Sequence, residues 1–204
     1  VSHDFEKDII ACAKSISKRY QGSKKRSETL EQIALRIFDS MKRVHGLTKR
    51  DRLLLQIATI LHDCGKYVSM VELGECSYRI IMATEIIGLS HLEREIVANV
   101  VKYNHIPFDY YEQMEKTTSM DKESYLRMTK LLAMLRLANG LDRSHKQKFK
   151  NIRILPKEEQ LLITVETNED ITLERGLFGH RAEFFTEVFN ICPVIRQKRT
   201  LDKL

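Results

Sequence analysis

The spacing of apolar residues changes once along this chain, and that change limits the folds open to it. Up to about residue 146, apolar side chains recur every three or four positions, which is the period of an amphipathic α-helix. The clearest stretch predicts a helix over about 27–45. Farther along, apolar residues alternate with polar ones or form short β-branched runs, as strands do. We therefore predict a mainly α chain, with a helical bundle over 1–146 and a small α+β unit over 147–204.

The same patterns place the remaining elements. Further helices are predicted over about 4–20, 48–61, 76–87, 90–104, 122–141 and 177–190. Strands are predicted at 151–156, 160–167, 170–175 and 192–196. The pairs Thr48 with Asp51 and Ser90 with Glu93 have the spacing of capping boxes, so each pair marks a helix start. The helix that follows Thr48 is apolar on most of its surface and belongs at the centre of the core.

An adjacent histidine and aspartate end this central helix. His62 and Asp63 stand in the segment LHDCGK, where Gly65 is predicted to stop the helix. An imidazole suits a transition metal and a carboxylate a hard cation, so the pair can bind one divalent ion if the chain turns there. The alternative is a hydrogen-bonded helix end without a metal. A phosphate loop at 63–66 is disfavoured, because such loops follow a strand and this segment follows a helix.

A formal net charge of +6 favours anionic partners such as phosphate chains, nucleotides or nucleic acid. The basic residues concentrate in three clusters, which are Lys24, Lys25 and Arg26; Lys49, Arg50 and Arg52; and Arg143, His145, Lys146, Lys148 and Lys150. Each cluster can bind an anion or can be an ordinary solvated helix end or loop. A nucleic-acid-binding module ranks last, because the chain has no Trp and no basic strand interleaved with stacking aromatics.

Composition and the N-terminus bear on location. No apolar run approaches the roughly 20 residues needed to span a bilayer, and VSHDFEKDII is too charged for a signal peptide, so we expect a cytoplasmic protein without a membrane partner. The four cysteines lack C-x-x-C spacing and are expected to be reduced, mostly buried thiols. The chain begins at Val1, and we expect residues to precede it in the natural protein.

Several segments, taken in order, resemble one known family. They are IALRIFDSM, HGL, RLLLQIATILHDCGKYVS, SYRIIM, IIGLSHLEREIVANVVKY, LLAMLRLANGLDRSH and DITLERGLFGHRAEFFTEVFNI. Together they are similar to the C-terminal region of the exopolyphosphatase and guanosine-pentaphosphate phosphatase (Ppx/GppA) family, over roughly residues 1–200. The resemblance implies an HD-domain-like helical bundle, named after the His-Asp metal pair of HD phosphohydrolases.

The resemblance also implies a division of labour. Two N-terminal actin-like domains, absent from this chain, hydrolyse terminal phosphates with Mg²⁺, and the helical domain helps to hold polyphosphate and contributes to a homodimer. The expected substrate is inorganic polyphosphate or guanosine pentaphosphate, and the isolated chain is expected not to be catalytic. We predict that polyphosphate binds the residues Lys24, Lys25, Arg26, Arg143, His145 and Lys146, because in an HD-like bundle these two clusters can border one groove.

The chain departs from the pattern of a complete HD metal site. Thr29 and Asn139 stand where a histidine and an aspartate ligand are expected, and Gly74, Glu75 and Cys76 stand where histidines are common. Asp142 is displaced by about one helical turn and His105 by one residue. His62 and Asp63 are therefore expected to be a vestigial metal site, with a residual divalent ion as the alternative outcome. The competing hypothesis for the whole chain is an autonomous HD-type metal-dependent nucleotide phosphohydrolase.

Overall fold

Side-chain caps define helix starts in the computed structural model, which describes residues 5–141, 148 and 151–200. The Thr48 hydroxyl accepts the Asp51 N–H at 3.3 Å, and the Asp51 carboxylate accepts the Thr48 N–H at 2.9 Å. Ser90 and Glu93 exchange the same two bonds, at 3.1 and 3.0 Å. Both predicted capping boxes are confirmed, because each satisfies two N–H groups that a helix start leaves unpaired.

The described helices are α1 (Phe5–Arg19), α2 (Lys24–Ser40), α3 (Lys42–His45), α4 (Lys49–Leu61), α5 (Leu73–Ala83), α6 (His91–Tyr103), α7 (Tyr111–Met114), α8 (Lys122–Leu141) and α9 (Thr172–Phe189). The strands are β1 (Asn151–Lys157), β2 (Gln160–Glu166) and β3 (Cys192–Lys198). A short 3₁₀ helix, Cys64–Tyr67, follows α4. The predicted fold class, mainly α with a small α+β unit at the C-terminal end, is confirmed.

Helices α4 and α8 form the centre of the core. Every residue of α4 from Leu53 to Leu61 is buried except Gln56, as its apolar sequence predicts. Helices α2 and α6 each pack on both α4 and α8, whereas α1 packs on α4. This arrangement places the end of α4, where His62 and Asp63 follow, inside the bundle.

The sheet has the order β1-β2-β3. Strand β1 pairs with β2 in antiparallel register, with Ile154 opposite Ile163. Strand β3 pairs with β2 in parallel, and α9 provides the crossover that a parallel pair needs. Leu161, Ile163 and Val165 alternate on the buried face of β2. Helix α9 packs on α8 as well as on β3, which joins the sheet to the helical bundle.

The prediction of a strand at 170–175 is wrong, because α9 begins at Thr172 instead. The Asp170 carboxylate accepts both the N–H and the hydroxyl of Thr172, at 2.9 and 2.6 Å, and so stabilises a turn at the helix start. The six residues 170–175 include only two large apolar side chains, whose spacing is compatible with a strand or with a helix. The tertiary contacts of α9 favour the helix.

Other boundaries also differ from the predictions. The helix expected over 27–45 starts at Lys24 and is interrupted at Met41, although the left-handed Gly46 (φ 65°) does end it as predicted. Helix α5 spans Leu73–Ala83 rather than 76–87, and α7 was not predicted. None of the described helices combines the length and the apolar character needed to cross a membrane.

Candidate functional site

His62 and Asp63 lie where α4 ends and the 3₁₀ helix begins. Both side chains are buried, with relative exposures of 0% and 5%. Gly65, predicted to stop the helix, lies inside the 3₁₀ helix instead, and a Cβ there would lie 2.4 Å from the backbone nitrogen of Ser77. The glycine is therefore required by the close approach of α5, and not by a left-handed helix end.

The ring of His62 is held by hydrogen bonds on one side. Its Nδ1 lies 2.8 Å from the carbonyl of Thr59 and donates to it, and the Ser27 hydroxyl is 3.4 Å from the same nitrogen. Within the described part of the chain, Nε2 is buried without a hydrogen-bond partner. Burial lowers the pKa of His62 to about 4, opposed by the nearby Asp63 and supported by Arg26, so the ring is neutral at neutral pH.

Asp63 connects the site to the start of α2. Its Oδ2 accepts the N–H of Ser23 at 3.3 Å. Its Oδ1 is buried without a hydrogen-bond partner among the described residues and lies 3.9 Å from His62 Nδ1. Gly22 lies against this carboxylate, since a Cβ there would be 3.1 Å from Oδ1 and 2.3 Å from the Ser17 hydroxyl. A larger residue than glycine would not fit between α1 and Asp63.

His105, which the sequence placed one residue out of register, does reach the site. Its Nε2 donates to the backbone carbonyl of His62 at 2.5 Å. Burial lowers the pKa of His105 as well, so this ring is also held in its neutral form. His105 therefore contacts the backbone of the His-Asp pair, and its Nε2 is already used in that contact.

The two substituted positions differ in their placement. Thr29 turns its hydroxyl back to the carbonyl of Lys25, at 3.1 Å, and the residue of α2 beside His62 is Ser27. Asn139 is buried on α8, and its Oδ1 accepts a hydrogen bond from Nη2 of Arg26 at 3.0 Å. Position 139 thus contacts Arg26, the neighbour of Ser27, whereas Thr29 makes no hydrogen bond to the His-Asp pair among the described residues. Asp142 lies outside the described residues.

These residues do not fit an HD-type metal centre. The atoms best suited to a divalent ion are Nε2 of His62 and Oδ1 of Asp63. Within the described ranges, no three His, Cys, Asp or Glu side chains come together as a possible ligand set. The side-chain oxygen of Asn139 already accepts a hydrogen bond from the guanidinium of Arg26. The metal role of His62 and Asp63 stays a prediction.

The first basic cluster lies at the start of α2. Lys24 and Lys25 are exposed, and the nearest carboxylate to Lys24 is the exposed Glu28, at 3.9 Å. Arg26 differs from both, because it is half-buried and binds Asn139. The first turn of α2 contains no acidic residue. Three cations at the positive end of a helix dipole are unfavourable unless an anion is near, and the Asp63 carboxylate, which accepts the N–H of the N-cap Ser23, is one such anion.

The second cluster is largely neutralised by acidic residues. Arg52 makes two hydrogen bonds to Asp39, at 2.8 and 2.9 Å, and Arg50 binds Glu93 through two nitrogens. Of the third cluster, Arg143, His145 and Lys146 lie outside the described residues. Lys148 is described, and it pairs with the buried Glu174 at 2.9 Å, which makes it part of the core of the C-terminal unit.

A cavity of about 590 Å³ adjoins the first cluster. It is bounded by α1, α2 and the turn between them, and Ile60 of α4 contributes to its wall. Lysines 14, 18 and 24 line it together with Glu28 and Glu31. Burial raises the pKa of Glu31, although a hydrogen bond from Gln56 opposes this shift. The cavity is of a size that suits a nucleotide or a short phosphate chain.

Sequence reasoning missed Lys14 and Lys18 as part of this surface. The two are one helical turn apart on α1, and Gln21 continues the same polar stripe beside the buried face of Ile9, Ala13 and Ile16. The sequence predicts that Lys14 and Lys18 share one face of α1, but it does not predict that this face lies across the cavity from Lys24.

Comparison with protein families shows what the chain is similar to. The family model of Ppx/GppA phosphatase, domain III, matches residues 10–179 of the chain, which is more than half of its length. The matched stretch includes the first basic cluster, the His-Asp pair, α8 and the beginning of α9. No curated protein matches the chain.

Proposed function

Because the chain belongs to the Ppx/GppA phosphatase family and contains its domain III, we propose that it holds polyphosphate or guanosine pentaphosphate for catalytic domains elsewhere in the full-length protein. Those domains supply the Mg²⁺-dependent hydrolysis. The chain itself contributes a polyanion site and a homodimer contact, and its HD centre is degenerate.

The observation that carries this proposal is the start of α2. Exposed Lys24 and Lys25 stand at the positive end of the helix dipole without an acidic neighbour in the first turn. A polyphosphate chain brings closely spaced negative charges that interact favourably with both the lysines and the dipole. Lysine binds phosphate as a point charge, so this surface requires no particular ligand register.

The adjoining cavity extends the site along α1. Lys14 and Lys18 line it on one side and Lys24 on the other, so a bound chain can contact cations of two helices. Neither Lys14 nor Lys18 has an ion pair within 4.0 Å among the described residues, whereas Arg50 and Arg52 do. Glu28 and Glu31 repel phosphate, and a phosphate bound at Lys24 must displace the exposed Glu28 carboxylate, which lies 3.9 Å from the lysine.

The proposed polyphosphate contacts also include Arg26, Arg143, His145 and Lys146. The guanidinium of Arg26 already donates one N–H to Asn139, so a ligand would have to bind its remaining donors. The other three lie outside the described residues. Lys24 and Lys25 are thus the residues on which the test depends.

The test compares two charge reversals of equal size. The variant Lys24→Glu, Lys25→Glu removes the proposed site, and Lys42→Glu, Lys116→Glu alters two exposed lysines that do not line the cavity. We expect the first to weaken polyphosphate binding at least about tenfold more than the second, and wild-type binding to fall steeply with salt. Calorimetric titration of the 204-residue chain with polyphosphate measures both. Equal losses in the two variants would mean that only net charge matters.

The ligand and the assembly are tested separately. The same titration with guanosine pentaphosphate compares the affinities of the two ligands. Tighter binding of the nucleotide would indicate that its base and ribose, which polyphosphate lacks, are also bound. Sedimentation velocity of the chain measures whether it forms the proposed homodimer.

A further inference from the structure

The guanidinium of Arg26 binds the side chain of Asn139, the position at which an HD site is expected to have its aspartate ligand. Its Nη2 donates to Asn139 Oδ1 at 3.0 Å, and this bond joins α2 to α8 across 113 positions of sequence. Asn139 is 1% exposed and Arg26 is half-buried, so the bond is partly shielded from solvent. Ser27, the next residue of α2, lies 3.4 Å from His62 Nδ1. The side chain that approaches position 139 therefore enters from beside the His-Asp pair.

From these contacts we infer that Arg26 is the resident cation of this centre and takes the place of the divalent ion of an HD site. The inference builds on the degenerate centre proposed above and is independent of polyphosphate binding. It assigns to Arg26 the exclusion of divalent ions and the connection of α2 with α8.

The charges around the site support this assignment. Asp63 is a buried carboxylate, and a buried charge needs a compensating charge or hydrogen bonds nearby. Burial is the main cause of the lowered pKa of both His62 and His105. Arg26 adds to this shift at both rings, Arg181 adds to it at His105, and Asp63 opposes it at both. Arg26 thus contributes a positive charge and Asp63 a negative one close to two neutral imidazoles, and Arg181 adds a second positive charge near His105. A divalent ion added there would be repelled by the guanidinium of Arg26.

The hydrogen bonds around His62 and Asp63 join several helices, as the ligands of a metal ion do. A metal ion joins helices because its ligands come from different elements, and here hydrogen bonds make the same connections. Arg26 reaches α8, Ser23 donates to Asp63 after α4, and His105 after α6 donates to the carbonyl of His62. A guanidinium has five donors and remains charged at every accessible pH, so it can keep such a connection permanently.

A metal ion can be excluded either by the positive charge at position 26 or by the lack of a carboxylate at position 139, and two variants distinguish these causes. The decisive pair of variants is Arg26→Met, Asn139→Asp and Arg26→Lys, Asn139→Asp. Both add a carboxylate at position 139, where an HD site is expected to have its aspartate ligand, and both have a side chain of similar length at position 26. Only the second retains a cation there.

The measurement is Mn²⁺ binding to the 204-residue chain, followed by the electron paramagnetic resonance signal of free Mn²⁺. We expect the methionine variant to bind Mn²⁺ at least about tenfold more tightly than the lysine variant and the wild type. Equal binding by both double variants, or no binding by a folded methionine variant, would overturn the inference. Tight binding by the wild type would also overturn it.

Circular dichroism establishes that each variant is folded. If the methionine variant does not fold, Arg26→Gln, Asn139→Asp replaces it, because glutamine is neutral and can still donate to the new carboxylate. Polyphosphate titration of the lysine variant keeps the two proposals distinguishable. A negative Mn²⁺ result with polyphosphate binding retained would reject Arg26 as the resident cation and leave the polyanion site standing.

Discussion

At the scale of single residues, His45 shows how burial sets a protonation state. Its Nδ1 accepts the Leu47 N–H at 2.8 Å, and its Nε2 donates to the Phe38 carbonyl at 3.0 Å. Burial lowers the pKa of His45, the Phe38 carbonyl opposes this shift, and Lys130 adds to it. A proton on Nδ1 would break the bond to Leu47, so the folded protein favours the neutral ring.

This protonation state makes stability depend on pH. The unfolded chain takes up a proton near pH 6.5, whereas folded His45 resists it, so the contribution of His45 is complete above that pH and is lost as the pH falls. Urea unfolding at about pH 8 and about pH 5 is expected to show a smaller loss of stability on acidification for His45→Asn than for wild type. The same substitution at exposed His91 is the control, and an unchanged pH dependence in His45→Asn would contradict the prediction.

At the scale of secondary structure elements, a helical glycine is either required by close packing or replaceable by alanine, depending on the space around its Cα. A Cβ at Gly179 of α9 would meet no atom within 4 Å, whereas one at Gly65 would lie 2.4 Å from Ser77 N and 2.6 Å from Leu73 O. We expect Gly179→Ala to raise the free energy of unfolding by about 0.5–1 kcal/mol, because alanine is the better helix former. Gly65→Ala is expected to lower it by about 1–3 kcal/mol, because backbone atoms must move. Chemical denaturation measures both, and a destabilising Gly179→Ala would show that α9 has an uncounted neighbour there.

At the scale of the whole molecule, the helical bundle and the C-terminal unit share contacts. Arg36 of α2 donates to the Ile152 carbonyl of β1 at 2.7 Å, and Arg181 of α9 donates to the Arg136 carbonyl of α8 at 3.2 Å. Buried residues of the sheet and of the bundle belong to one hydrophobic cluster. We propose that the boundary near residue 147 separates two subdomains that fold together.

The shared contacts predict a single cooperative unfolding transition for the chain. Differential scanning calorimetry is expected to give one peak whose calorimetric and van't Hoff enthalpies agree. The fragment 1–146 is expected to lose much of its stability, because α8 would expose the face that packs on α9. Two separate transitions, or a fragment as stable as the full chain, would identify independent domains instead.

The sequence by itself determined the features that depend on neighbours within a few turns. The 3.6-residue period of α2, α4 and α8 and the capping boxes at Thr48 and Ser90 follow from local geometry, and all of them are observed. The change of period beyond residue 147 correctly separated the helical part from the sheet, although it did not distinguish the first turn of α9 from a strand. Family membership was also readable, because it rests on motifs in order along the chain.

Only the tertiary structure decided which distant side chains meet. The pairing of Arg26 with Asn139, the approach of Ser27 rather than Thr29 to His62, and the position of Lys14 and Lys18 opposite Lys24 all join separate elements. The physical reason is that a helix pattern defines which face is buried but leaves its rotation and axial position to be set by packing against neighbours. A rotation of α2 that exchanged Ser27 for Thr29 beside His62 would also turn the buried face of α2 away from α4 and α8.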